Sequence, residues 1–490
     1  MSEQLPPERR PAARVPPAQS GTAIRGGAAR ALGYAAGVLV SLATAAIIVR
    51  RLGIATFGRY VTVTSLVALV GGVTEAGIVV YGMREFLARE GDARRRLMAN
   101  LLALRLALAA VGVAVAIAFA AVAGYGGTLV LATLVAGAGL LAQVIADVLS
   151  ISLQAQLLLG RMTFVELVRR LLGLAIAGAL ALAGAGVVSF VAAGSVSAGA
   201  AAALMAFTTR RFVSARLEFD VAYWRALFAD TLPYAVALSI AAVYLYVTVI
   251  VMSIASSALQ TGLFATSFRV VQAALAVPAL LLTAVFPLLA RSGPGQRDAV
   301  RDAVGKVFTV AVLGGAWMSL ATALGARFVI DVIAGAHGHA AAPVLRIQGL
   351  IFLVSFVSTS SALGLVSLKR YRPLIVASAG ALVLDVGLAL ALIPALGARG
   401  GAIADVVTET VAAVWLTANL ARAVPGHRIS AAFIPALALA LGASSLVLLL
   451  PLGSLARTAL ASVIYFGVLL LTRALPAELT HAARRLPLLR

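Results

Sequence analysis

The chain has 490 residues, 62% of them hydrophobic and only 12% charged, yet it carries a formal charge of +21. With a mean hydropathy of +1.04, it cannot hide its apolar surface in a soluble core and needs lipid as a solvent. It has no cysteine, which excludes disulfides, thiol catalysis and cysteine metal sites.

Residues 1–28 are rich in Pro, Arg and small residues and lack periodicity, which predicts a disordered cytoplasmic tail. They do not read as a cleaved leader, because the apolar run that begins near Ala31 is itself as long as a membrane span. Spans are then predicted at 31–49, 60–82, 98–121, 129–154, 166–184, 186–208, 227–251, 259–288, 305–326, 344–366, 371–393, 400–421, 430–451 and 457–473. At about 1.5 Å rise per residue, about twenty residues cross the hydrocarbon. The expected fold class is an all-α polytopic membrane protein with about fourteen transmembrane helices. It divides into an N-lobe at 29–208 (spans 1–6), a cytoplasmic linker at 209–226, a C-lobe at 227–423 (spans 7–12), and 424–490 with spans 13 and 14 and a cytoplasmic tail. The linker is expected to be an amphipathic interfacial helix or a plain connection.

Cations set the orientation. With both termini in the cytoplasm, the inside segments collect most of the arginines, Arg161, Arg169 and Arg170 among them. The outside segments hold only Arg50, Arg51, Arg59, Arg327, Arg346, Arg399 and Arg457. This is the positive-inside pattern, and it supports both the even span count and the orientation; the localisation expected is the bacterial plasma membrane. The lobes also echo one another weakly: Leu32-Gly-Tyr34 opens span 1 as Leu232-Pro-Tyr234 opens span 7. Gly58-Arg-Tyr60 begins span 2 as Gly262-Leu-Phe264 begins span 8. Duplication explains the echo, and so does chance in an Ala/Gly/Leu-rich chain.

Ionisable residues inside spans are costly and therefore face protein or a wet cavity. Glu75, Arg105 and Asp147 fall at similar depth in spans 2, 3 and 4 and are predicted to form one N-lobe cluster. Arg269, Asp385, Asp405 and Glu409 form a second set in the C-lobe. Asp405 and Glu409 stand four apart on one helical face, where repulsion favours a retained proton. Either these acids support ion coupling, or they are fixed structural partners of Arg269. Arg269 is the leading cargo ligand, since a guanidinium holds phosphate bidentately. Arg84 and Glu85 are expected to form a cytoplasmic gate or a solvated edge, and Asp230 an interfacial or capping residue. Pro233, Pro278 and Pro287 are expected to bend spans 7 and 8. His337 and His339 lack a third metal ligand and read as a solvated loop. No catalytic motif and no metal site are expected.

The segment Arg51-Leu-Gly-Ile-Ala-Thr-Phe-Gly-Arg-Tyr60 resembles the LG…FG-x-Y turn of the polysaccharide flippases in the multidrug/oligosaccharidyl-lipid/polysaccharide exporter superfamily. Thr74-Glu-Ala-Gly77 with Arg84-Glu85 resembles their acidic-small-Gly…Arg-Glu arrangement, with Glu75 where aspartate is commoner. Thr261-Gly-Leu-Phe-Ala-Thr-Ser-Phe-Arg-Val270 and Phe286-Pro-Leu-Leu289 resemble the second-half motifs, with Ser267 replacing the usual alanine. The resemblance implies two facing six-helix lobes, two trailing helices, and alternating access. Its implied activity is flipping a polyprenyl-pyrophosphate-linked oligosaccharide to the outer leaflet for cell-surface polysaccharide synthesis. No cofactor is implied beyond coupling to a proton or sodium gradient. The implied partners are the lipid-linked glycan, membrane lipids, and a polysaccharide polymerase or glycosyltransferases, with no nucleic acid. The alternatives are a cation-coupled exporter of drugs or amphiphiles, a lipid-linked peptidoglycan precursor flippase, a non-transporting scaffold and a membrane glycan ligase. The precursor flippases carry several cations in their first lobe, where this sequence offers chiefly Arg105.

Overall fold

The computed structural model describes residues 17–75, 77–213, 217–275, 297–423 and 433–474. Pro278, Pro287 and the Phe286-Pro-Leu-Leu289 motif lie outside these residues. The described chain is helical throughout. Its first part comprises α1 (Pro17–Leu52), α2 (Ile54–Glu75), α3 (Ile78–Ala88), α4 (Gly91–Val122), α5 (Gly126–Ala155), α6 (Leu159–Leu182) and α7 (Val187–Thr209). Then follow α8 (Val221–Ala255), α9 (Ala258–Ala274), α10 (Arg297–Ala334), α11 (Ala342–Gln348), α12 (Ile351–Ser367), α13 (Arg372–Leu396), α14 (Ala398–Ala423), α15 (Ile434–Ser445) and α16 (Ser454–Leu471).

Ten helical segments among the described residues are long and apolar enough to cross a membrane, and two shorter apolar helices accompany them. The fourteen predicted spans map onto these elements in order. The fifth, α6, falls short of the apolar threshold because Glu166, Arg169 and Arg170 sit within it. The eighth begins as α9 and runs beyond the described residues. The adjacent pair at 166–208 is two separate helices, α6 and α7, reversed at Gly184 and Gly186.

One span is broken. α2 stops at Glu75 and α3 restarts at Ile78. Between them Gly77 has φ 68°, a left-handed conformation that a side chain resists. Such interruptions free backbone groups and persist where protein or a wet cavity can satisfy them.

The linker departs from an interfacial helix. Residues 217–220 carry no regular secondary structure and α8 begins at Val221, with the Asp220 carboxylate accepting from the Tyr223 N–H at 3.1 Å as an N-cap. Asp220 also pairs with Arg96 at 2.6 Å, and Asn100 donates to Glu218 at 3.3 Å, so the linker is tied to α4. Pro233 lies inside α8, which continues to Ala255.

The two halves meet along α2, which packs against both α8 and α9. Gly58 and Gly262, the echoed glycines, touch there. A Cβ on Gly58 would stand 2.5 Å from the Ala258 carbonyl oxygen, and one on Gly262 1.9 Å from that of Ile54. Only glycine permits this backbone approach, the usual means of joining helices where lipid removes the hydrophobic driving force. Further along, Ser239 donates to the Val73 carbonyl at 3.2 Å.

Candidate functional site

A cavity of about 590 Å³ lies between α1, α2, α6 and α7 on one side and α8 and α9 on the other. That is within the roughly 300–1,000 Å³ of ligand pockets. Buried Ile48 and Phe57 stand at its end toward the arginine-poor face, with Phe57 stacked on Tyr60 at 5.9 Å. Val38 and Ala273 line it toward the arginine-rich face. Ser41, Thr44, Tyr60, Ser197, Tyr246 and Gln272 supply hydroxyl and amide groups to the wall.

Three arginines share this cavity: Arg169, Arg170 and Arg269. Arg269 is half-buried, and its guanidinium reaches across to the Thr64 hydroxyl of α2 at 3.4 Å. It therefore faces the first half rather than the second-half acids, which corrects the reading of those acids as its fixed partners. Arg169 and Arg170 gain a role that the topological pattern does not give them. The arginine pattern assigns them to an inside segment, and the structure adds that they line the cavity from within α6. Arg169 grips Glu166 through Nε at 2.9 Å and Nη2 at 2.7 Å, and Arg170 Nε reaches the same carboxylate at 2.6 Å. Arg170 also donates to the Gly37 carbonyl at 2.8 Å and the Ser41 hydroxyl at 2.9 Å, fastening α6 to α1. Helical spacing puts Glu166 one turn from both arginines. That E-x-x-R-R signal was readable in the sequence, but its position at a span edge suggested topology.

Glu75, Arg105 and Asp147 lie near enough to interact, but Glu75 is not buried with the other two as the sequence predicts. Arg105 is 2% exposed and lies within electrostatic range of both acids. Asp147 accepts from Gln143 at 2.8 Å and also interacts electrostatically with Arg169, linking this cluster to the cavity. Glu75 is exposed on the protein's surface at the α2–α3 break. Nε and Nη1 of Arg105 are buried without a hydrogen-bond partner.

The second-half acids form their own network. The Thr248 hydroxyl lies 2.8 Å from both Asp385 Oδ2 and Asp405 Oδ1. A hydroxyl carries one proton, so it cannot satisfy both carboxylates fully, and a further proton or cation would be well placed among the three oxygens. Gln348 donates to Asp405 at 3.4 Å and accepts from Ser267 at 2.6 Å. The serine that departs from the expected alanine thus orients the network. Glu409, one turn from Asp405, accepts from Tyr244 at 3.0 Å and Ser358 at 2.8 Å. The sequence missed Thr248 and Gln348, because an isolated Thr or Gln in an apolar span carries no periodic signal.

Glu85 pairs with Arg89 at 3.0 Å near the linker, and Arg84 is exposed. Asp230 lies in α8, its side chain outside the described set. His339 pairs with Asp331 at 2.7 Å, and the His337 side chain is outside the described set. No metal-ligating cluster occurs among the described residues.

At the arginine-poor face Arg50 of α1 donates to the carbonyls of Val332 at 2.6 Å, Asp331 at 3.2 Å and Ile333 at 3.3 Å. These are C-terminal carbonyls of α10, where a cation complements the helix dipole. Tyr125 and Ser253 bridge the halves nearby through hydroxyls 2.6 Å apart. With the Gly58–Gly262 contact, these interactions join the two halves on that side.

The sequence profile of the polysaccharide biosynthesis protein family matches residues 23–292. No curated protein sequence matches the chain. Among solved structures, the lipid II flippase MurJ in an inward closed conformation superposes with TM-score 0.71 at 10% identity, covering 92% of this chain and 99% of that one. An inward-facing multidrug resistance MATE family transporter of the MOP superfamily gives 0.64 at 16% identity, covering 79% and 95%. A MOP superfamily transporter from Pyrococcus furiosus gives 0.54 at 18% identity, covering 82% and 94%. At these identities the likeness shows the fold.

Proposed function

This chain belongs to the polysaccharide biosynthesis protein family, and on that premise we propose that it flips a polyprenyl-pyrophosphate-linked oligosaccharide between membrane leaflets. It is a multi-pass membrane protein of the exporter and flippase fold, and the cargo is the finer step. One observation carries it: Arg169, Arg170 and Arg269 converge on a cavity between the halves whose walls are otherwise hydroxyl, amide and apolar. Guanidinium forks suit phosphate oxygens, and hydroxyl and amide walls suit sugars. A cationic drug would meet repulsion there.

The arginine distribution supports a cytoplasmic N-terminus. In that orientation the Arg50 and glycine contacts close the outer side, and the cavity loads from the inner leaflet. Reorientation of the halves about α2, α8 and α9 delivers the headgroup outward. The Thr248–Asp385–Asp405 group, which is suited to hold a proton or cation, couples this movement to a gradient.

A precursor flippase for peptidoglycan is the second reading. Arg169 and Arg170 favour it, because they supply the first-half cations that Arg105 alone did not. Both cargoes share the pyrophosphate, and glycan identity separates them.

The test is leaflet transfer in proteoliposomes, comparing lipid-pyrophosphate glycans with a cationic amphiphile. Arg269→Ala should slow glycan-lipid transfer by about tenfold or more, the loss of one charge-assisted contact. Equal turnover per folded transporter would remove Arg269 from the site.

A further inference from the structure

We propose that Glu166 is an exchangeable counter-ion: it fills the place of the cargo's phosphate in the empty cavity and is displaced when the anionic headgroup binds. The inference rests on the reading of the cavity as a pyrophosphate site.

The geometry is that of an occupied anion site. One carboxylate is held bidentately by Arg169, and its Oε1 is shared with Arg170 Nε. A phosphate presents oxygens to paired guanidinia in the same way. The occupant belongs to the protein and is held by two arginines that line the cavity, and the Glu166, Arg169 and Arg170 side chains are 38%, 31% and 24% exposed. The third arginine differs. Arg269 lines the same cavity and has a long contact to Thr64 but no carboxylate partner among the salt bridges of the described residues. The cavity therefore offers one open cation and two that are provisionally satisfied.

Charge balance supplies the reason. Adjacent guanidinium groups in a lipid-surrounded protein are costly without a counter-charge, and a carrier must reorient empty as well as loaded. Glu166 balances the arginine pair when the cavity is empty. A diphosphate carries more charge than one carboxylate and can bridge all three arginines, so it displaces Glu166 on loading. On release the carboxylate returns and lowers the barrier to cargo departure. Headgroup affinity is thereby held down, which favours turnover over retention.

The probe is inorganic pyrophosphate, titrated calorimetrically into the full chain in nanodiscs of uncharged lipid. Glu166→Gln keeps the shape and removes the competing charge, so it should bind pyrophosphate roughly tenfold more tightly than the natural chain. A second measurement reads the arginines directly by phenylglyoxal modification and peptide mass spectrometry. In the natural chain Arg269 should react ahead of Arg169 and Arg170. In Glu166→Gln that pair should become reactive, and pyrophosphate should protect all three. Equal or weaker binding by Glu166→Gln overturns the counter-ion role. If natural binding is then still lost in Arg269→Ala, the cavity reading survives. If neither form binds pyrophosphate and no arginine is protected, the cavity reading itself falls.

Discussion

Adding one methyl group at Gly262 tests whether the glycine contact holds the cavity shut. The new Cβ would stand 1.9 Å from the Ile54 carbonyl oxygen, and Cβ atoms essentially never approach within 3.0 Å. The obstacle is backbone, so no rotamer relieves it, and α2 and α9 must part by at least 1.1 Å. Overpacking of this kind costs about 1–3 kcal/mol, a factor of about 5–150 in a two-state ratio. A population sealed 99 to 1 would fall to between roughly 95:5 and 40:60. The chain has no cysteine, so Ala55→Cys with Leu259→Cys gives two unique spin-label sites at exposed positions flanking the contact. Electron–electron distance measurement should show one short separation in the parent and a longer component after Gly262→Ala. An unchanged distribution in folded Gly262→Ala protein would refute the seal.

Two further outcomes follow from the polar groups. Thr248→Val keeps the side-chain shape but removes the hydroxyl shared by Asp385 and Asp405. It should cost about 1–3 kcal/mol of stability and abolish stimulation of transfer by an imposed proton or sodium gradient, while exchange without a gradient persists. Full stimulation would place coupling elsewhere. At the linker, the Tyr223 N–H and then Arg96 hold the Asp220 carboxyl below its usual range. A depressed folded value means the stabilisation is complete above the unfolded value of about 3.9 and is lost as pH falls through the lower folded one. Hydrogen exchange across residues 217–223 should therefore stay slow from neutral pH to about 5 and accelerate beyond the intrinsic trend only below about pH 4. Asp220→Asn should exchange faster at pH 6 and lose that added acid step.

The sequence by itself determined the solvent, the class and the order of the helices. Bilayer thickness fixes span length, and the cost of moving arginine across lipid fixes which loops carry it, so both constraints are written locally along the chain. It also placed Glu75, Arg105 and Asp147 at one depth, because depth in a straight span follows from residue count alone. Rotation about each helix axis was beyond it, since lipid-facing and protein-facing positions are alike apolar here. Tertiary packing turned Arg269 toward Thr64 and away from Asp385 and Asp405. It turned Arg169 and Arg170 of α6 toward the same cavity as Arg269. It also set Thr248 between two acids from distant spans, and brought together Gly58 and Gly262, an echo in the chain that became a contact only once the halves faced each other.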